Sequence, residues 1–281
     1  MEGNVLMELR FKTSTTDLTI GVGDYLIEPP IEGLAMPTIR TSSQLYSGRD
    51  GGRVNVQFYN PRLISLQGHI NENTCTNLEQ SRIDLQNALR AKVETQLIIT
   101  TPAGNTYTTF GRITDFNMDY ESYIYSRFRV DYLCNDVYFL ETVENTQTVE
   151  RYAGGGGFIL PVILPIIFGG GVGDEQIING GTEVVYPVIK IYGTASNPTI
   201  TAIDTGEKFG FDLNIFTGDV VEIDMYNRTA TLNGDSIMSY RSDDSTSWGL
   251  QPGTNMVRFT TSDGDDTGYA DVIWRNAILT I

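Results

Sequence analysis

Apolar and polar residues alternate along much of the first 145 residues, and this period of two predicts β-strands. The segment RVNVQFY, residues 53–59, shows the pattern clearly. Val54, Val56 and Phe58 fall on one face, which predicts a half-buried strand. The segment RLISLQGHI, residues 62–70, follows it and is predicted as a further strand, although Leu63 and Leu66 break the alternation.

A different period appears in TNLEQSRIDLQNALRAKV, residues 76–93. Its apolar positions sit near helical spacing and predict one helix, capped by Thr76 or Asn77. These positions are Leu78, Ile83, Leu85, Leu89 and Val93. Beyond the helix, two apolar runs flank residues 102–105, whose proline and glycine predict a hairpin turn. Residues 120–134 alternate aromatic and polar side chains, which predicts a long strand, so the first block is expected to be an α+β domain with antiparallel pairing.

The second block, residues 181–281, contains short apolar runs separated by turn motifs such as DTGE, FTGD and QPGTN. In VVEIDMYNRTATLNGD, residues 220–235, two runs flank a turn near Asn227, and Asn233–Gly234 supplies a second turn. Evenly spaced strands of this kind predict a β-sandwich of about 100 residues. The chain is therefore expected to be mainly β with one helix.

Residues 152–173 read YAGGGGFILPVILPIIFGGGVG and raise four alternatives: a membrane segment, a fusion peptide, a core strand or a joint between domains. The apolar stretch is shorter than the roughly 20 residues of a membrane-spanning helix. Pro161 and Pro165 favour an extended chain instead. We therefore expect an apolar linker over 151–180, between domains at 1–150 and 181–281. Six of its side chains are predicted to dock on the protein's own domains or on an adjacent subunit: Phe158, Ile159, Val162, Ile163, Ile166 and Phe168.

Charge and candidate chemistry exclude several functional classes. A formal net charge of −16 without a basic stripe argues against nucleic-acid binding and against adhesion to anionic membranes. The N-terminus has no secretory signal pattern, so synthesis in the cytoplasm and a soluble product are expected. His69 is the only histidine, and Cys75 and Cys134 have no metal-site spacing and are expected to be free thiols. We expect no enzyme, no cofactor and no metal site, and the acidic loop SDGDDTG, residues 262–268, is expected to be solvated.

Two sites remain as candidates for binding. Glycines beside Arg49 and Arg53 suggest either a ligand nest or a loop that packs against a neighbouring subunit, and the second is favoured. Trp248 is a candidate sugar-stacking residue on the predicted sandwich, whereas Trp274 lies in a final strand and is expected in the core.

In this order, the motifs resemble the distal tail protein family of siphoviruses, the long-tailed bacteriophages. Four segments carry the resemblance: a Gly-rich loop followed by Arg-x-Ile/Leu-x-Leu-x-Gly (44–70), a helix (82–91), a Phe/Pro stretch (154–171) and the second block. The resemblance implies an N-terminal ring-forming (belt) domain and a C-terminal galectin-like β-sandwich.

The same resemblance implies a structural virion protein at the phage tail tip, made in the host cytoplasm. Its expected assembly is a homo-hexameric ring that joins the tail tube protein to the tail-tip hub and the receptor-binding proteins. The alternative function is a glycan-binding, host-adhesion module of the tail tip.

Overall fold

The computed structural model describes residues 7–152 and 173–281. The chain forms two compact units. The first contains the chain up to Thr142 together with Ile278–Ile281, and the second contains Val143–Ala277.

The first unit is built on an antiparallel sheet with the strand order β2-β1-β7-β8-β9-β6-β3, and β10 pairs with β8. The β4–β5 pair forms a separate two-stranded sheet. The strands are β1 (Glu8–Lys12), β2 (Asp17–Ile20), β3 (Tyr25–Glu32), β4 (Ile39–Leu45), β5 (Gly52–Tyr59), β6 (Leu63–Asn71), β7 (Thr95–Thr100), β8 (Thr106–Tyr120), β9 (Tyr125–Cys134) and β10 (Phe139–Glu141).

Helix α1 (Cys75–Ala88) packs on this sheet through Leu78 and Leu85, which are fully buried. Its N-cap is Thr74, whose hydroxyl accepts a hydrogen bond from the Asn77 amide, so the helix begins before the predicted cap at Thr76 or Asn77. Ile83 is 51% exposed, because the face that contacts the sheet is narrower than the apolar pattern suggested. The turn predicted at 102–105 joins β7 to β8, and β9 begins at Tyr125, later than predicted.

Arg62 is the most deeply buried charged residue of the first unit and is 2% exposed. Its guanidinium donates hydrogen bonds to the carbonyl oxygens of Gly33 and Ala35, which precede β4, and to Val137 and Leu279. The same group lies 4.3 Å from the centroid of the Phe139 ring. Arg62 itself follows β5, so one side chain joins both stems of the β4–β5 hairpin to the body of the unit.

The second unit consists of two main sheets with the orders β11-β22-β13-β18-β19-β20 and β12-β21-β15-β16, and a short β14–β17 pair. Apolar side chains such as Ile189, Val221 and Phe259 are buried in its core. The strands are β11 (Asn145–Glu150), β12 (Glu175–Asn179), β13 (Val188–Tyr192), β14 (Ala195–Ser196), β15 (Thr199–Ala202), β16 (Glu207–Gly210), β17 (Asn214–Ile215), β18 (Val220–Asp224), β19 (Thr229–Leu232), β20 (Asp235–Ser236), β21 (Gly253–Thr260) and β22 (Tyr269–Trp274). The short last strand, β23 (Ala277–Ile278), spans the boundary, since Ala277 belongs to the second unit and Ile278 to the first.

The boundary between the units differs from the predicted one at residue 150. Strand β11 pairs with β22 along its whole length and therefore belongs to the second unit. Both described ends of the segment 153–172 also lie in that unit. The described residues on either side of 153–172 therefore belong to one unit, and the boundary between the two units lies at Thr142–Val143.

We predict that Arg62→Lys lowers the free energy of unfolding of the first unit by about 2–4 kcal/mol, because an ammonium cannot reach all four carbonyl oxygens. Chemical denaturation followed by far-UV circular dichroism measures this loss. Both tryptophans, Trp248 and Trp274, lie in the second unit, so the midpoint seen by tryptophan fluorescence should stay the same. Arg112→Lys, at an exposed guanidinium, is the control. Equal stability of the two variants would contradict the prediction.

Candidate assembly surface

The β4–β5 hairpin, residues 39–59, stands apart from the main sheet of its unit. Its connection contains Gly48 and Gly51, both with φ in the left-handed region that glycine adopts without strain. Gly52 lies so close to β4 that a Cβ atom there would be 2.6 Å from the Gln44 carbonyl oxygen. The glycines predicted to form a loop therefore close a hairpin whose arms are tightly apposed.

The apolar side chains of this hairpin are exposed to solvent. Every residue of β4 is exposed, and Leu45 is 86% accessible. In β5, the exposed fractions are 62% for Val54, 70% for Val56 and 56% for Phe58. The prediction of a strand was correct, but the prediction that it is half-buried was wrong, since no element of the described chain covers these side chains. A concentration of exposed apolar residues on one element is typical of an interaction surface.

A β-bulge places apolar side chains on both faces of the hairpin. Phe58 pairs with Arg40 and Val54 pairs with Ser43, with a register shift between the two pairs. Because Arg40 and Ser43 point to opposite faces of β4, Phe58 and Val54 do so as well. The single apolar face predicted for this strand was therefore wrong, and the hairpin offers contacts on both sides.

The hairpin is also basic. The two arginines predicted from the sequence, Arg49 and Arg53, are both exposed and lie in the connection and in β5. The structure adds Arg40, whose guanidinium lies 5.2 Å from the Phe58 ring centroid, and it places the Arg49 guanidinium 4.0 Å from the Tyr46 ring. Within residues 7–152 and 173–281, none of the three forms an ion pair. Each can therefore contact an acidic partner.

Other chemical groups have local roles. The His69 Nδ1 atom lies 3.0 Å from a Glu28 carboxylate oxygen, and the imidazole stacks on Tyr125. Cys75 is exposed and Cys134 is buried, and both are free thiols. Burial raises the pKa of Cys134 to about 11, so this thiol stays protonated at neutral pH.

The acidic loop at 262–268 is held by hydrogen bonds of its own. Asp266 accepts one from the Ser196 amide, and Asp263 accepts one from the Asp265 amide. Among the residues that the structure describes, no cluster of His, Cys, Asp and Glu is arranged to hold a metal ion. No helix in the same ranges is long and apolar enough to cross a membrane.

A shallow groove of about 300 Å³ lies between the end of α1 and β8. Leu89, Ile113 and Phe116 supply its apolar lining, and Arg90 and Asp115 are its charged groups. Its hydroxyl group, that of Thr114, donates a hydrogen bond to the Asp131 carbonyl oxygen and not to a general base of the kind that nucleophilic catalysis requires.

Trp248 does not have the exposed position that a sugar-stacking residue needs. It is 1% exposed, so its ring faces are occupied by protein atoms and the prediction of a glycan platform at this residue was wrong. The sequence around it, DDSTSWG, is polar and carries no apolar pattern that indicates burial. Trp274 is 8% exposed, in agreement with its predicted place in the core.

The six apolar interface candidates of the linker, from Phe158 to Phe168, lie outside the described residues. The described residues that flank 153–172, Tyr152 and Asp174, both contact Arg258. Its guanidinium lies 4.3 Å from the Tyr152 ring and donates two hydrogen bonds to the Asp174 carboxylate, at 2.5 and 2.9 Å. Tyr152 and Asp174 are therefore held side by side at Arg258 of β21, although 21 residues separate them in the sequence.

Comparisons with known proteins agree with this architecture. Residues 180–277 match the sequence model of the siphovirus-type tail component, C-terminal domain. The crystal structure of the Dit protein (gp 19.1) of phage SPP1, described as a paradigm of the hub adsorption apparatus in phages infecting Gram-positive bacteria, has a TM-score of 0.71 at 15% identity. That match covers 96% of this chain and 98% of the SPP1 chain.

A chain of the phage P2 baseplate in its activated conformation with Ca has a TM-score of 0.55 at 10% identity, over 98% of this chain and 100% of that one. A search of curated protein sequences finds no match. The predicted fold class, mainly β with one helix, and the resemblance to distal tail proteins are confirmed.

We predict that Trp248→Ala lowers the free energy of unfolding of the second unit by about 3–5 kcal/mol, because it leaves a large cavity. Denaturation followed by circular dichroism tests this, with Tyr240→Ala, at a 54% exposed ring, as the control. Similar stability of the two variants would contradict the buried position of Trp248.

The Arg258 guanidinium holds the pKa of Asp174 below its ordinary value, mainly through the hydrogen bonds between them. We predict that Arg258→Met raises the pKa of Asp174 toward that of an isolated aspartate, because the hydrogen bonds that favour the carboxylate are lost. Carboxyl ¹³C NMR during a pH titration measures it. Arg241→Met removes the same charge from another exposed site in the second unit and should leave this pKa unchanged. The same pKa in both variants would argue against a direct pair.

Proposed function

We propose that this chain, whose residues 180–277 carry the C-terminal domain of the siphovirus-type tail component, is a distal tail protein of a long-tailed phage. Its role is structural: a homo-hexameric ring at the tail tip that connects the tail tube to the hub and the receptor-binding proteins. Support comes from the family match and from the fold, which follows SPP1 Dit over nearly the whole chain.

The exposed apolar hairpin is the observation that carries the assembly step. A two-stranded hairpin with apolar residues on both faces is poorly stabilised in water unless it packs against another surface. A partner that covers Leu45, Val54, Val56 and Phe58 gains their burial, at roughly 25 cal/mol per Å² of apolar surface. In a closed ring, each subunit offers one surface to the next subunit and receives a different one from the previous subunit.

The linker candidates from Phe158 to Phe168 belong to this proposal as a second contact with an adjacent subunit. Support for them comes from their composition, since apolar side chains in this number seek a protein surface. Limited proteolysis of a monomeric and an assembled form addresses their role, because a segment covered by a neighbour resists cleavage.

If the chain binds glycans, residues other than Trp248 must contact them, since Trp248 is buried. No described arrangement favours it over assembly. We likewise propose a structural role without catalysis, in agreement with the families found by comparison.

We predict that the purified protein forms a ring with about six times the mass of one 31.1 kDa chain. Light scattering coupled to gel filtration and negative-stain microscopy measure the mass and the shape. Val56→Glu places a charge in the contact and should weaken assembly at least about tenfold. Ile178→Glu, at a 60% exposed residue of β12, is the matched control and should assemble like the wild type. A protein that is monomeric at every concentration would contradict the ring.

A further inference from the structure

We infer that the β4–β5 hairpin of one subunit docks on a second exposed surface of the first unit in the next copy of this chain. This surface, named here the β6–β9–β8 patch, consists of Leu63, Leu133 and Phe110. The inference rests on the proposed ring and identifies which two surfaces meet in it.

The patch is a contiguous apolar area across three neighbouring strands. Leu63 of β6 and Leu133 of β9 are direct cross-strand partners. Leu133 also pairs with Arg112 of β8, which places Phe110 of the same strand diagonally beside it. Their exposed fractions are 46% for Leu63, 38% for Leu133 and 42% for Phe110. All three lie on the face of the sheet opposite to the buried Ile64, Tyr132 and Ile113.

The hairpin and the patch belong to the same unit, yet both are exposed. Each chain therefore carries two unmated apolar surfaces of different shape, one a projecting hairpin and the other a sheet face. Two different surfaces on one chain are what a heterologous contact between copies requires, and repetition of that contact closes a ring. Two copies of one surface meeting each other would instead produce a two-fold dimer.

Charge also favours a second copy as the partner. With three arginines and one aspartate, residues 39–59 carry +2, so that the rest of the chain carries −18. Two acidic side chains flank the patch. The Glu94 carboxylate accepts a hydrogen bond from the Asn135 side chain, and the Asn135 amide donates to the Phe110 carbonyl oxygen. Asp131 precedes Leu133 by two residues on the same face.

Arg112 also borders the patch, and Asp131 lies 3.4 Å from the Arg129 guanidinium, so Glu94 is the acidic group best placed for the hairpin. The hairpin arginines have no ion-pair partner among the described residues of their own chain. Glu94 at the edge of an apolar centre can pair with an arginine of the basic hairpin, whose apolar side chains cover that centre, and such complementarity selects the partner and sets the register.

Disulfide trapping between two different chains tests the contact. Both chains carry Cys75→Ser to remove the exposed native thiol. One carries Val56→Cys and the other carries Phe110→Cys, with Leu63→Cys and Leu133→Cys as alternative patch positions. After mixing and mild oxidation, we expect a cross-linked heterodimer between hairpin and patch. The control pair combines Val56→Cys with Ile178→Cys, which is equally accessible but lies in the second unit.

Charge exchange provides an independent readout. Arg53→Glu alone and Glu94→Arg alone should each raise the concentration at which half the protein is assembled by about three- to tenfold, and a chain carrying both changes should recover assembly. Recovery shows complementarity, which a general loss of stability cannot produce.

The outcomes separate the two proposals. Hairpin-to-patch cross-links without cross-links to Ile178→Cys support the inference, as does recovery in the double charge exchange. A ring of normal mass with cross-links only between two hairpins, or with none to any patch position, overturns the inference and leaves the ring intact. Absence of any ring overturns the proposed function, and the inference falls with it.

Discussion

The buried guanidinium of Arg62 is the constraint on which the first unit depends. A charge taken out of water needs compensation, and here it comes from four carbonyl oxygens and the face of Phe139, with no carboxylate among its hydrogen-bond partners. Burial lowers the pKa of this arginine, but a guanidinium stays charged at any physiological pH. The protein must therefore hold the chain segments that supply the carbonyls in one arrangement. One of these segments, with Gly33 and Ala35, leads into β4, and Arg62 itself follows β5, so both stems of the hairpin are fixed.

Because Arg62 fixes both stems of the β4–β5 hairpin, the exposed hairpin has a defined direction relative to the main sheet of the first unit. Asn60 adds two hydrogen bonds to Thr38, one from its backbone amide and one from its side chain. These bonds lie at the base of the hairpin, since Thr38 precedes β4 and Asn60 follows β5. A hairpin ordered before binding has already lost much of the conformational entropy that association would otherwise cost. The hydrogen bonds of Arg62 thus stabilise the folded unit, and in the proposed ring they also orient the hairpin before it binds.

The sequence could predict which residues form strands, but not which surface covers each strand. Alternation in RVNVQFY predicted β5 correctly, because the period of two is a property of the strand itself. Burial depends on a neighbour, and in the proposed ring the neighbour of β5 belongs to another chain, which the sequence of this chain does not identify. Gly68 shows the opposite case, since a Cβ atom there would lie 2.4 Å from the Leu26 carbonyl oxygen, a crowding set by packing within the chain. The burial of Trp248 and the approach of Tyr152 and Asp174 to Arg258 were missed because both depend on contacts distant in sequence.

The strong negative charge of the chain opposes the proposed assembly, so a favourable interaction must outweigh the repulsion between subunits. Copies that each carry −16 repel one another, and the repulsion extends over roughly 8–10 Å at physiological salt. Burial of apolar surface is insensitive to this field, so it is the suitable source of binding energy. In the proposed ring, a basic hairpin at the contact lowers the repulsion between copies. Added salt screens both the repulsion between whole subunits and the attraction at the hairpin. The two effects oppose each other, so an assembly held mainly by the apolar side chains should depend only weakly on ionic strength.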